Sequence, residues 1–204
     1  MARMEGATTF HLVRHASYDL LGRVIAGRAP GHSLNPKGRA EADALAVSLA
    51  GRPIAAVVSS PLQRARETAA PIAERHGLPV AIEGDLDEID FGEWTGLPIR
   101  DLHASPEWRS FNTFRSTAPI PGGETMVMAQ ARALAAILRL RSRYPEAEVV
   151  VVSHGDVVKA LLAHFLAVPL DLMRRIEIGP ASRSGLVVED SDARIIGVNL
   201  PLPG

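Results

Sequence analysis

The sequence predicts an α/β fold, a single three-layer domain with a mostly parallel central sheet flanked by helices. Three observations predict it. Short apolar runs of strand length alternate with longer amphipathic stretches of helix length along the whole chain. Several short runs are apolar throughout, Val149 to Val152 being four consecutive valines, which is the pattern of strands covered on both faces. No repeat, low-complexity tract or linker divides the 204 residues, a length that suits one domain with a sizeable core. Residues 1–204 are therefore expected to form one unit.

Each element follows from a local signal. Thr8 to Val13 is the first strand, stopping on Arg14 and His15. Residues 17–33 form a long loop containing Gly22, Gly27, Pro30 and Gly31, and loops of that length in compact domains usually serve function. Asn35-Pro36 opens a helix as N-cap and first-turn proline; Ala42, Leu45, Ala46 and Leu49 share its inner face and Gly51 closes it. Ile54 to Val58 is the second strand. Ser60-Pro61 repeats the cap-and-proline signal for a helix running to about Gly77, with a kink expected at Pro71. Pro79 to Ile82 is the third strand, and residues 85–96 are acidic and irregular with Phe91 and Trp94 as anchors. Short helices around Asp101 and Trp108 are expected within residues 98–120, an excursion over the active site. A turn at residues 119–123 precedes a long helix capped by Thr125 and ending before Pro145, with Val127, Leu134, Ile137 and Leu138 near its buried face. Glu148 to Ser153 is the strongest strand and leads through His154-Gly155 into a helix to about Ala167. Ile176 to Ile178, Gly185 to Glu189 and Arg194 to Asn199 are expected as closing strands, with an antiparallel edge among them.

Composition narrows the function. The chain is 47% hydrophobic and 22% charged, with a net charge of −1, so no global basic field favours nucleic acid or a membrane surface. Cysteine is absent, which excludes disulfides, thiol catalysis and Cys-ligated zinc. Residues 1–6 lack the apolar core of a signal peptide, and Val157 to Leu170, interrupted by Lys159 and His164, is too short to span a bilayer. A cytoplasmic protein is the expectation. A homodimer stays open, because oligomeric state is not readable.

Three strands end alike. The first delivers Arg14 and His15; the second leads into a helix whose first turns carry Arg64 and Arg66; the valine strand delivers Ser153 and His154. Parallel neighbours would bring these groups to one crevice at the carboxyl edge of the sheet, where open α/β sheets bind ligands. Helix starts near Pro61 and Gly155 would face the same crevice and favour anions. The chemistry this suits is phosphoryl transfer. Phosphate monoesters need accelerations of up to about 10²¹, so several fixed cations are required. Arginine forks bind two phosphate oxygens and stay charged. A neutral histidine can attack phosphorus from one ring nitrogen while a hydrogen bond holds the other. One carboxyl group can protonate the leaving oxygen and later deprotonate water.

Leu12-Val13-Arg14-His15-Ala16 resembles the Arg-His-Gly signature of the histidine phosphatase superfamily, which includes the cofactor-dependent phosphoglycerate mutases. Further motifs follow in the family's order: Leu34-Asn35-Pro36-Lys37-Gly38, Ser59 to Ala65 with Thr68-Ala69, Leu86-Asp87-Glu88 with residues 91–96, Pro121 to Thr125, and Val152 to Gly155. The resemblance implies a phosphoglycerate mutase-like fold and a metal-independent, cofactor-free activity on a small phosphorylated substrate. It implies that His15 is the nucleophile, that Arg14, Arg64 and His154 bind phosphate as cations, and that Glu88 is the proton donor and acceptor. It also favours Arg64 over Arg66, which periodicity leaves open.

The chain departs from the pattern in two places. Ala16 stands where the family has glycine, which puts a methyl group near the expected phosphate path. The asparagine that often follows is missing, with Ser17 and Arg28 as substitutes for its phosphate contacts and Gly155 contributing from the helix start. The mutase branch's Trp-Asn and its basic substrate insert have no counterpart, although Arg100, Arg109 and Arg115 lie in residues 98–120, so hydrolysis is expected over mutation.

The remaining features have plain readings. His11, His32, His76, His103 and His164 are expected in structural or surface roles, His164 packed in its apolar helix. Asp85 to Asp90 fails as an EF-hand loop, and Ser153 lacks a Gly-x-Ser-x-Gly elbow. A metal-independent phosphomonoesterase working through phospho-His15 is the leading expectation. The alternatives are a phosphoglycerate-type mutase and a phospho-ligand or phosphoprotein-binding module whose chemistry has lapsed.

Overall fold

The computed structural model describes residues 6–202. Its six-stranded sheet comprises β1 (Thr8–Arg14), β2 (Ile54–Ser59), β3 (Val80–Ile82), β4 (Glu148–Ser153), β5 (Arg183–Val188) and β6 (Ala193–Leu200). The spatial order is β3-β2-β4-β1-β5-β6. The first four in that order run parallel, whereas β5 is antiparallel to β1 and β6 is antiparallel to β5. The helices are α1 (Pro36–Leu49), α2 (Gln63–Arg75), α3 (Ile99–Leu102), α4 (Pro106–Thr113), α5 (Met126–Arg143) and α6 (Gly155–Phe165).

Apolar residues on both faces of the central strands make the three layers. Phe10, Leu12, Val149 and Val151 pack on Ala133, Ala136 and Ile137 of α5 and on Val158, Leu161 and Leu162 of α6. Val13, Val57, Val150 and Val152 point the other way, onto Leu45 and Leu49 of α1 and Ala65, Ala69 and Ile72 of α2. A third cluster centred on Ile89, Phe91, Trp94 and Phe111 fastens the acidic segment and the excursion to Met126, Ala129 and Ala160. The two predicted anchors are thus buried, and α3 and α4 occupy the predicted excursion. Among the described residues, no helix is long and apolar enough to cross a membrane.

Local capping sets the element starts. The Asn35 side chain accepts from the Gly38 amide at 2.8 Å, and Thr125 accepts from the Met128 amide at 3.2 Å. α2 departs from expectation: it begins at Gln63 with Leu62 at the cap, and continues through Pro71 to Arg75. Ser60 does not cap it: its hydroxyl accepts from the Leu62 amide at 3.3 Å, one residue before the helix, and is otherwise engaged in the site described below. α1 ends on Ala50, whose right-handed backbone carries the chain on before Gly51.

Three further expectations are corrected. Val127 and Leu138 are exposed (48% and 45%), since α5 turns Ala129, Ala133, Ala136, Met126, Ile137 and Leu140 inward. Small residues let that helix approach α6 closely enough for Gln130 to reach the Ala160 carbonyl at 2.8 Å. Residues 176–178 form no strand; they follow a short 3₁₀ segment, Leu170–Arg175, and the Ile178 carbonyl is taken by Arg14 instead of a neighbouring strand. His164 is exposed, not packed, with its ring edge-on to Phe165.

Candidate active site

The parallel register sets the site. Arg14 of β1 lies opposite Ser153 of β4, so consecutive residues of both strands leave the sheet at the same level. The His15 amide donates to the Ser153 carbonyl at 2.9 Å, carrying the pairing one residue past the strand. The rings of His15 and His154 consequently sit 5.2 Å apart between centroids. α2, entered from β2, brings Arg64 to the same place.

His15 is 2% exposed. Its Nδ1 lies 2.9 Å from the Ala16 carbonyl. A carbonyl only accepts, so Nδ1 carries the hydrogen and Nε2 keeps its lone pair. Burial, and then the positive charge of Arg64, lower its pKa to about 3. The ring is therefore a neutral imidazole whose unprotonated Nε2 accepts from Arg64 Nε at 3.3 Å.

Arg64 is 1% exposed and donates to the Gly27 carbonyl at 2.9 Å. Its Nη2 lies 3.3 Å from His154 Nδ1, and its guanidinium stands over the Tyr18 ring at 5.4 Å. Arg14 donates to the Ile178 carbonyl at 2.7 Å, and its buried Nε has no hydrogen-bond partner among the described residues. Among the described residues, neither arginine is within ion-pair distance of a carboxylate. Charges brought out of water this way require an opposing charge, and the one this pocket can receive is an anion. Arg66 is exposed, so geometry supports the choice of Arg64.

His154 occupies the cap position of α6 and is fully buried. Its Nε2 lies 2.7 Å from Ser60 Oγ, which itself donates to Asp87 Oδ1 at 3.1 Å. That order of donors puts the ring hydrogen on Nε2 and leaves Nδ1 to accept from Arg64. Burial, together with the neighbouring His15 and Arg64, holds its pKa well below the usual histidine range, so this ring is neutral too. The sequence-based assignment of His154 as a cation does not describe this state.

Glu88 faces His154, its Oε2 at 3.7 Å from Nδ1 and its Oε1 accepting from the Ile89 amide at 3.0 Å. Burial raises its pKa to about 7, with Arg64 opposing and the Asp156 carboxylate reinforcing the shift. A carboxyl poised there can give a proton and take one back near neutral pH.

The substitutes proposed for the missing asparagine are engaged elsewhere. Ser17 donates from its amide and hydroxyl to Glu41 at 2.8 and 3.0 Å. Arg28 donates to the Glu88 carbonyl and to Glu124, both at 2.8 Å, so it braces the acidic segment. Gly155 matters through its missing side chain: a Cβ there would meet Arg14 Nε at 3.1 Å. Ala16 is accommodated. Its methyl packs with Leu34, Ala42 and Ala181, and its amide donates to Thr68 Oγ1 at 2.9 Å. The expected intrusion on the phosphate path is thus absent, because the methyl faces a small core cluster.

Tyr18, Ser60 and Asp87 belong to the site and were not singled out as functional. Tyr18 meets the His15 ring edge-on at 5.4 Å and lies 6.0 Å from the His32 ring. Ser60 carried a competing helix-cap signal, and Asp87 read as one carboxylate in a solvated loop.

Comparison with known proteins agrees with this geometry. Residues 10–201 match the histidine phosphatase superfamily (branch 1). The chain is 33% identical over 173 residues to glucosyl-3-phosphoglycerate phosphatase of Mycobacterium tuberculosis, covering 78% of this chain and 75% of that protein. It is 30% identical over 193 residues to phosphoserine phosphatase 1 of Hydrogenobacter thermophilus, covering 93% and 90%. The solved structure of a mycobacterial glucosyl-3-phosphoglycerate phosphatase superposes with a TM-score of 0.85 at 30% identity, covering 95% of this chain and 99% of that one. With strand ends, arginines and histidines placed as described, the chain belongs to the histidine phosphatase superfamily.

Proposed function

We propose that this chain hydrolyses a small phosphomonoester through a phosphohistidine on His15, without metal or cofactor. One observation carries the reading: the unprotonated Nε2 of a buried, neutral His15 lies against Arg64, and neither Arg64 nor Arg14 has a carboxylate within ion-pair distance among the described residues. Nε2 attacks phosphorus in line, forming the N–P bond as the bond to the leaving oxygen breaks. Glu88, protonated at this stage, donates to that oxygen. The Nδ1 hydrogen bond to the Ala16 carbonyl supports the charge that develops on the ring. Water then attacks the phosphohistidine, Glu88 takes its proton, and the N–P bond breaks to release phosphate.

Arg14 and Arg64 hold the phosphoryl oxygens throughout, each such electrostatic donor contributing roughly 10²–10³ in rate. A bound phosphate dianion also supplies the negative charge that would let His154 bind a proton and donate from both nitrogens. The phosphatase names of the relatives support hydrolysis over mutation. The accommodation of Ala16 removes one motive for reading the chain as a lapsed binding module.

Rapid quenching during turnover should trap acid-labile, base-stable phosphate on the wild-type protein and none on His15→Ala. Absence of label from an actively turning-over enzyme, or equal label on His15→Ala, rejects the mechanism. Turnover should persist in EDTA, and released phosphate, not an isomerised ester, should be the product. Glucosyl-3-phosphoglycerate and phosphoserine, named in the relatives, belong in the first substrate screen.

A further inference from the structure

The segment that carries Glu88 has little regular structure of its own. Beyond a single 3₁₀ turn, Gly84–Leu86, its backbone groups find partners in side chains from two distant parts of the chain. Arg132 of α5 uses all three guanidinium nitrogens. Nη1 donates to the carbonyls of Asp85 and Asp87 at 2.8 and 2.7 Å, and Nη2 donates to the carbonyl of Glu88 at 3.0 Å. Nε and Nη2 donate to the two carboxylate oxygens of Glu124 at 3.0 and 2.6 Å. Arg28, from the loop after β1, donates to the Glu88 carbonyl and to Glu124 Oε1. Glu124 Oε1 also accepts from the Asp90 amide at 3.0 Å.

The backbone is thereby held on both sides of Glu88, at three carbonyls before and at it and at an amide after it. None of these bonds touches the Glu88 carboxyl, whose one protein hydrogen bond among the described residues comes from the adjacent Ile89 amide. The arrangement fixes the root of the side chain and leaves its acid group available. Leu86 and Ile89, both fully buried, already anchor the segment to the core. Two arginines and a carboxylate added to that anchoring set the segment's orientation, which apolar contacts alone specify poorly.

We propose that Arg132, Glu124 and Arg28 form a positioning clamp that sets the Glu88 carboxyl for proton donation to the leaving oxygen. This rests on the reading of Glu88 as the proton donor. The clamp residues touch no reacting atom; they act through the Glu88 backbone. Their loss should matter in proportion to how much the leaving group needs a proton.

The test compares para-nitrophenyl, phenyl and n-propyl phosphate across wild type, Glu88→Gln, Arg132→Met and Arg28→Met. Glu88→Gln should lose about 10²–10⁴ in kcat/KM, which reports the phosphorylation step alone, on propyl phosphate and far less on para-nitrophenyl phosphate, whose leaving group needs little help. Arg132→Met should follow the same trend with a loss of up to about 10² on propyl phosphate, the scale of a misplacement near 1 Å. Arg132→Lys should recover part of it. Arg28 is partly exposed, so Arg28→Met tests the clamp even if Arg132→Met does not fold. A direct substrate contact at Arg28 would lower kcat/KM for all three esters alike; the clamp lowers it selectively for the poor leaving group.

A folded Arg132→Met or Arg28→Met that loses nothing, or loses equally on all three esters, overturns the clamp while Glu88→Gln remains selective. Equal losses in Glu88→Gln itself reject the proton-donor reading instead.

Discussion

The arginines proposed to hold phosphate at His15 also help keep its ring uncharged. Arg64 lowers the His15 pKa in addition to burial, and a neutral ring is the form that can attack. Glu88 is tuned in the opposite direction by the same burial. Because donation needs its protonated form, kcat/KM for alkyl phosphates should fall as pH rises through about 7, and this limb should vanish in Glu88→Gln. The same shift has a stability consequence. The folded state holds the Glu88 proton up to about pH 7, whereas the unfolded chain releases it near 4.5, so this group costs stability as pH rises between those values. Glu88→Gln should therefore be more stable than wild type above pH 7, by up to ~3 kcal/mol, and should converge with it below pH 4.5. Thermal midpoints at the two extremes check this. His15, Arg14, Arg64, Glu88 and His154 were readable as a group because each sits in a motif tied to a strand end or helix start. Tyr18 and Glu41 were not, since their contacts with His15 and Ser17 are long-range or through space and no local spacing encodes them.

At the level of elements, strand ends deliver the chemistry and a helix start organises it. α6 begins at Gly155, where the absent side chain lets Arg14 lie against the first turn. Its next residue, Asp156, pairs with Arg115 of the excursion at 2.7 Å. Arg115 is almost fully buried and rests on the Phe111 ring at 4.5 Å, so the excursion is fastened to the active-site helix by charge as well as by packing. Arg115→Met should destabilise the fold by about 2–3 kcal/mol, less than the 3–5 typical of a fully buried pair because Asp156 retains some access to water. Arg115→Met/Asp156→Asn should recover most of that loss in urea denaturation, since no buried charge is then left unpaired. The capped helices α1 and α5 were legible because Asn35 and Thr125 act locally. The inner face of α5 was not, because alanines that permit close packing carry less apolar signal than the exposed Val127 and Leu138.

Across the whole molecule, three buried histidines set the response to acid. His11 accepts from Arg183 at 2.9 Å and pairs with Glu148 at 2.8 Å, which Arg52 also binds; burial lowers its pKa to about 4. His15 and His154 are likewise lowered. Each is neutral in the folded state but protonated in the unfolded chain below pH 6.5, so each contributes stability that is lost as pH falls from there. Glu88 acts in the opposite sense between 4.5 and 7, leaving net uptake of about two protons on unfolding. Stability should fall by at most ~1.4 kcal/mol per pH unit for each such proton between pH 6.5 and 4.5. Unfolding monitored across that range, with His11→Asn reducing the slope by one proton, checks it.

By itself the sequence determined the α/β class, the order of the six strands and the main helices, the capped starts of α1 and α5 and the cluster of residues that end the strands. Those follow from periodicity, local hydrogen bonding and short motifs, all of which act over a few residues. Only the tertiary structure decided that Arg14 and Arg64 have no carboxylate within ion-pair distance among the described residues, that Ala16 points into a core cluster, and that Arg28 donates to the Glu88 carbonyl. It also decided that His154 is neutral and that residues 176–178 supply a carbonyl to Arg14 in place of a strand. These outcomes depend on burial and on contacts between residues far apart in the chain. Burial sets the cost of a charge and proximity sets its partner, and neither exists until the layers have packed.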